Sequence, residues 1–162
     1  MQRKKLSKQR FCDSKKNLII SQGVVRIFKK YVNKKNKFEA GGILLGYVYR
    51  DYDEIMNISL PSKYDKRGLF FFNRSKSFAQ LKIDKSWKSS SGTLIYLGEW
   101  HTHNEINPSP SETDRNMIEK ALQETKMWVD YLYLVIIGFN DTCWAGRQTH
   151  KGLIRLKNCT GK

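Results

Sequence analysis

Along the chain, apolar residues fall into short runs separated by polar turns, and some stretches recur at helical spacing. Asn17 to Ser21 reads as a short strand. From Gln22 to Asn33, Val24, Val25, Phe28, Tyr31 and Val32 recur near helical spacing. Lys29, Lys30, Lys34 and Lys35 crowd its last turn, where cations suit the helix dipole. In Phe38 to Tyr49 the apolar half is a strand, and Gly41-Gly42 marks a place where backbone comes close to a neighbour. Ile55 to Leu60 alternates as a second strand, and Leu69 to Phe72 reads as a third. Ser75 to Trp87 carries Phe78, Leu81 and Trp87 and predicts a helix with a basic outer face. Thr93 to His103 is a strand that runs into polar chemistry at its end. Ser111 caps a helix reaching Met127, with Met117, Ile118, Ala121 and Leu122 on one face. Tyr131 to Gly138 predicts a buried strand, and Thr142 to Gln148 with Leu153 to Lys157 complete the sheet. Pro61, Pro108 and Pro110 all fall between elements. The order predicts an α/β fold, one domain with a mixed central sheet flanked by helices. Residues 1–16 read as a loosely held basic arm, and residues 17–162 as the domain.

Composition narrows the class. A chain of 162 residues fits one domain and can bury roughly 70% of its unfolded surface without a metal or disulfide staple. Hydrophobic residues at 40% and aromatics at 12% are too many for a disordered chain. The longest apolar run, Tyr131 to Phe139, falls far short of the ~18 residues of a membrane helix. Arg3, Lys4, Lys5, Lys8 and Arg10 have no apolar stretch behind them, so the start does not read as a signal peptide. A soluble, cytoplasmic protein with no membrane partner is expected.

The net charge of +15 is regional: residues 1–37 carry +12 and residues 63–88 carry +6. Such fields attract nucleic acid, acidic membrane surface or an acidic protein. The basic runs lack interleaved aromatics, which favours a solvated lysine-rich surface over a nucleic-acid platform. Phe11, Phe28 and Tyr31 read as core residues. Cys12, Cys143 and Cys159 are odd in number and form no CxxC pair, which suits a reducing compartment and argues against a disulfide framework.

Chemistry concentrates in Gly98-Glu99-Trp100-His101-Thr102-His103 and the following Asn107 to Asp114. In a strand, residues i and i+2 share a face, so His101 and His103 project together. Asp114 stands in the first turn of the next helix, where a short loop brings it back over the strand end. Two imidazoles and a carboxylate leave one open position on a tetrahedral metal, the catalytic arrangement. Ser111-x-x-Asp114 alone would be a capping box, and an HxH pair alone is weak; together they point to a metal. Two of the three histidines are here, and His150 reads as structural or surface. Glu99 shares the face of His101 and His103, while Glu39 leads into a strand that could lie alongside. Spacing leaves both open as the base.

His101-Thr102-His103, seven residues, Ser111, two residues and Asp114, with Glu39 upstream of Gly-Gly-Ile-Leu-Leu-Gly, resemble the JAB/MPN (JAMM) metalloproteases. The resemblance runs from about Asn17 to Leu156. It implies a cytidine-deaminase-like α/β fold, Zn2+ held by His101, His103 and Asp114, Glu39 as general base and Ser111 as a hydroxyl stabilising the oxyanion. Glu99 then becomes a supporting residue. The wording is closest to compact bacterial members, and within them to the deconjugating isopeptidases encoded beside E1/E2-like enzymes in anti-phage (CBASS) operons. The implied partner is a ubiquitin-like protein or conjugate, such as a nucleotide cyclase conjugated by an E1/E2-like enzyme. One departure is Asn104, where many relatives place Pro after the second His. Alternatives are a processing protease for a ubiquitin-like or sulfur-carrier precursor, a non-catalytic scaffold, and a basic nucleic-acid-binding module.

Overall fold

Alternation along one strand explains the layering of the whole molecule, which is described by a computed structural model for residues 7–32 and 38–161. That strand is β8 (Tyr131–Ile137). Its Leu132, Leu134 and Ile136 enter one apolar cluster, and its Tyr133, Val135 and Ile137 enter another, as a period of two requires when both faces are covered. Before it come β1 (Gln9–Cys12), β2 (Asn17–Ile20), α1 (Gln22–Val32), β3 (Gly41–Val48), β4 (Tyr52–Ile58), β5 (Lys66–Arg67), β6 (Phe72–Asn73), α2 (Lys76–Ser89), β7 (Ile95–Thr102) and α3 (Glu112–Glu124). After it come β9 (Cys143–Thr149), β10 (Gly152–Arg155) and β11 (Lys157–Asn158).

Nine strands form one mixed sheet in the order β10-β9-β8-β7-β3-β4-β2-β1-β11. Its first and last members are consecutive in the chain, parted only by Leu156. A single C-terminal segment thus pairs with β9 on one side and β1 on the other, and the sheet curls back toward its own start. Both edges of the sheet thus fall in one segment and are only four and two residues long, short enough to discourage edge pairing. α1 covers one face with Val24, Val25, Phe28 and Val32, and Phe28 packs on the Trp100 ring at 5.0 Å. α2 and α3 contribute Ala79, Ile118 and Leu122 to the other. This is the mixed-sheet α/β domain expected. No helix among the described residues is long and apolar enough to cross a membrane.

Several expectations need correction. Gln9–Cys12 is a sheet strand and not part of a loose arm, with Phe11 buried between β2 and β11. One apolar residue among basic ones leaves too little periodicity to show it. Residues 13–16 are held as well: Lys16 pairs with buried Asp53 at 2.8 Å, and Asp13 pairs with Arg147. Cys12 and Cys159 form a disulfide, their Cα atoms 6.3 Å apart after a separation of 147 residues. Spacing cannot reveal a bond made by sheet closure, so the argument against disulfides fails here. Cys143 is free, and burial pushes its thiol up to about 12, which disfavours the thiolate at neutral pH. Leu69 to Phe72 is not a strand: Leu69, Phe70 and Phe71 sit in an exposed turn, and only Phe72 opens β6. α3 stops at Glu124, capped by Thr125, short of Met127. Arg3, Lys4, Lys5, Asn33, Lys34 and Lys35 lie outside the described residues.

One glycine aims the site. At Gly98 the β3–β7 register shifts, φ is +146°, and a Cβ would run into the Tyr133 carbonyl. The bulge lets Leu97 and Trp100 both join the α1 side, while the Tyr96 hydroxyl meets Glu99 on the other. His101 follows on the face of Glu99, toward α3.

Candidate metal centre

β7 and β8 run parallel, so the chain must cross between them, and α3 is that crossover. A crossover helix leaves from the C-terminal end of the first strand, where open α/β sheets place their ligands. The end of β7 carries His101, and His103 continues past it with its N–H donating to the Ile137 carbonyl at 2.9 Å. Both imidazoles are buried. Asp114, in the first turn of α3, faces them.

The three side chains converge. His101 Nε2 lies 3.1 Å from Asp114 Oδ1, His103 Nε2 lies 3.2 Å from Asp114 Oδ2, and the two Nε2 atoms are 3.1 Å apart. Among the described residues they form one group whose donor atoms lie within 4.8 Å of one another. Two donors on a tetrahedral zinc sit roughly 3.3 Å apart, given bonds of ~2.0–2.1 Å, so this spacing fits a small divalent ion. The buried Nδ1 of His103 makes no hydrogen bond and lies 3.6 Å from Glu105 Oε1. A nitrogen, nitrogen, oxygen set suits a divalent transition metal.

Ser111 and Asp114 also form the capping box. The Ser111 hydroxyl accepts from the Asp114 N–H at 3.1 Å, and Asp114 Oδ2 accepts from the Ser111 N–H at 2.8 Å. Cap and candidate ligand are one carboxylate. Its two oxygens have lone pairs enough for both tasks. Burial would raise the Asp114 pKa, but hydrogen bonds from His101 and His103 hold it well below the usual carboxylate range. Burial would likewise depress His103, and the bond to Asp114 with the charges of Asp114, Glu39 and Glu105 raises it instead.

Glu39 arrives just ahead of the neighbouring strand, β3. The Ala40 N–H donates to Thr102 Oγ1 at 3.0 Å and the Thr102 N–H to the Ala40 carbonyl at 2.8 Å, which brings residues 39–40 alongside the strand end. Burial lifts the Glu39 carboxyl to about 7, with His103 opposing and the charges of Asp114 and Glu105 adding. A carboxyl titrating near neutrality suits a group that must both take and return a proton.

Glu99 is otherwise engaged. Arg74 grips it with Nε and a terminal nitrogen at 2.6–2.9 Å, and the Tyr96 hydroxyl donates to it at 2.6 Å. Its carboxylate is already taken up by Arg74 and Tyr96, which leaves Glu39 the less engaged of the two glutamates. Glu99→Gln should therefore cost about 2–3 kcal/mol of stability, because a charged buried partner is lost, yet leave hydrolysis within a few-fold below the melting temperature. Denaturant melts run beside activity assays would check it, and loss of turnover in a folded variant would return Glu99 to candidacy.

Sequence reasoning missed the β5–β6 hairpin that leans on this site. The Phe72 ring lies over Gly41, the partner of His101 in the ladder, where a Cβ would come within 2.5 Å of it. Asn104, the departure from Pro, donates to the Leu69 carbonyl in the hairpin turn at 2.8 Å. Phe38, Leu69, Phe70, Phe71 and Ile106, all exposed, lie in these same segments. His150 is exposed in the turn after β9 and takes no part.

Comparison with known proteins agrees with this picture. A family profile described as prokaryotic homologs of the JAB domain matches residues 21–146. The chain is 36% identical over 105 residues to a CD-NTase/cGAS isopeptidase of Pseudomonas aeruginosa, covering 64% of this chain and 66% of that protein. It is 29% identical over 140 residues to a CD-NTase/cGAS isopeptidase of Escherichia coli, covering 86% of each. A solution structure of a protein from Desulfitobacterium hafniense shares the fold, with a TM-score of 0.62 at 16% identity over 85% of this chain and 88% of that one.

Proposed function

The chain belongs to the prokaryotic JAB-domain family, and from that premise we propose that it is a zinc-dependent isopeptidase. It hydrolyses the amide that joins the C-terminus of a nucleotide cyclase, or of a ubiquitin-like domain, to an amine on another molecule. In this reading it reverses conjugation within an anti-phage system. The observation that carries it is the convergence of His101, His103 and Asp114 at the mouth of a parallel strand pair. The Pseudomonas and Escherichia relatives, named CD-NTase/cGAS isopeptidases, support the substrate class.

His101, His103 and Asp114 would hold the zinc, and bound zinc supplies Lewis acidity that makes water available as hydroxide near neutral pH. Glu39 accepts the proton of the attacking water. The oxygen of that water adds to the scissile carbonyl carbon. Ser111 already uses its oxygen as an acceptor for the Asp114 N–H, which leaves its own proton to donate to the developing oxyanion. Glu39 then returns the proton to the amine nitrogen as the C–N bond breaks, giving a free carboxylate and a free amine. An extended C-terminal tail can reach this point beside the β5–β6 hairpin, whose exposed apolar residues offer it a surface.

The test uses a CD-NTase whose C-terminal carboxylate is joined to a lysine of a reporter protein. The zinc-loaded chain should release both proteins, the cyclase ending at its native carboxylate by mass spectrometry. Chelation should stop release and added zinc restore it. A chain carrying one zinc that leaves the conjugate intact would overturn this substrate class.

A further inference from the structure

We propose that Arg67 is a positioning residue for Glu39, and that the β5–β6 hairpin fixes this carboxylate by its backbone. This rests on the reading of Glu39 as the base. Glu39 stands two residues before β3 begins, so the strand ladder does not by itself set its place. Consecutive residues of an extended chain turn their peptide groups to opposite sides. Ala40 is bound on one side, by Thr102 of β7. Glu39 is bound on the other, by the hairpin: its N–H donates to the Gly68 carbonyl at 2.7 Å, and its carbonyl accepts from Arg67 Nε at 2.8 Å. A terminal nitrogen of the same guanidinium reaches the Phe38 carbonyl at 3.3 Å. Both polar groups of the Glu39 peptide unit are thus taken by two successive residues of one short hairpin.

A clamp is only as firm as its mounting, and this one is anchored at several points. Asp65 ties the two ends of the hairpin, accepting from the Ser62 N–H at 2.6 Å and the Ser75 N–H at 2.8 Å. Arg74, just past β6, is locked to Glu99 of β7 at 2.6 Å. Asn104 holds the turn through the Leu69 carbonyl. β7 carries His101 and Glu99 alike, so the strand that bears a candidate ligand also braces the hairpin that holds the base. The guanidinium bridges two consecutive carbonyls from the planar fork of one side chain, which a lysine ammonium cannot reproduce at both.

The experiment compares wild type, Arg67→Met and Arg67→Lys as zinc-loaded full chains on the conjugate described above. Arg67→Met should lower kcat on the order of 10- to 100-fold, the usual cost of misplacing a catalytic group by about an ångström. KM should stay within about two-fold and zinc content unchanged, since the guanidinium touches neither substrate nor metal in this reading. Arg67→Lys, keeping one donor, should recover part of kcat. In a Glu39→Gln background, Arg67→Met should add no further loss, because it acts through the carboxylate already removed. Exchange of the Glu39 amide proton should quicken in Arg67→Met while other strand amides hold. Wild-type kcat in Arg67→Met, or a full multiplicative loss in the Glu39→Gln background, would overturn the assignment. If wild type itself leaves the conjugate intact, the isopeptidase reading falls, and an unchanged Glu39 amide exchange would overturn the clamp separately.

Discussion

Glu39→Gln is expected to carry the same zinc as wild type and to cleave at least ~100-fold more slowly, the low end of what a positioned general base contributes. The amide of Gln has nearly the shape of the carboxyl but cannot take a proton at neutral pH. Its backbone keeps the bonds to Gly68, Arg67 and, through Ala40, Thr102, so the substitution changes chemistry without moving the chain. None of the candidate ligands, His101, His103 and Asp114, is touched. Stability should hold or rise slightly, because a buried carboxyl is replaced by a neutral group of equal size. Zinc content by elemental analysis, a thermal melt and turnover on the conjugate decide it together. A variant that still turns over at wild-type rate would remove Glu39 from the chemistry. The contrast with Glu99→Gln is the sharper test of the same strand pair: one substitution should change rate and the other stability.

Local periodicity made most of the sheet readable in the sequence. Tyr131–Ile137 and the run into His101 announce themselves as buried strands, and the spacing of His101, His103 and Asp114 follows from a strand end feeding a crossover helix. What stayed hidden depends on partners far away in the chain. β1 is held between β2 and residues 157–158, which come round from the far end of the chain, and Cys12 meets Cys159 there. The hairpin has only two residues in each strand, too few for a period, and its apolar turn imitates a strand. Asp53 looks like a surface charge in a strand start, yet it is buried under Lys16 and the hydroxyls of Tyr131 and Tyr133. Capping and metal binding competed as explanations of Ser111 and Asp114 because one-dimensional spacing assigns a residue one partner. The folded carboxylate has two oxygens, enough to cap the helix and still face both imidazoles.

His103→Ala should lose both zinc and cleavage, falling below about a tenth of a zinc per chain after dialysis. Three protein ligands around one ion are the minimum of a catalytic zinc site, and two leave it open to water on half its sphere. The loss ought to exceed that of Glu39→Gln because water activation and charge stabilisation disappear together. Folding is the rival explanation and has its own signature. His103 packs at the strand end with its main-chain N–H on Ile137, a bond that alanine keeps, so the sheet should survive. Zinc that binds only the folded chain stabilises it by about 2.7 kcal/mol at a free concentration 100 times its Kd. Wild type should therefore melt higher with zinc than with chelator, while His103→Ala melts at one temperature in both. A chelator-independent melt in wild type, or stoichiometric zinc in His103→Ala, would refute the proposed ligand set. Asp114 would then keep only its place as the cap of α3.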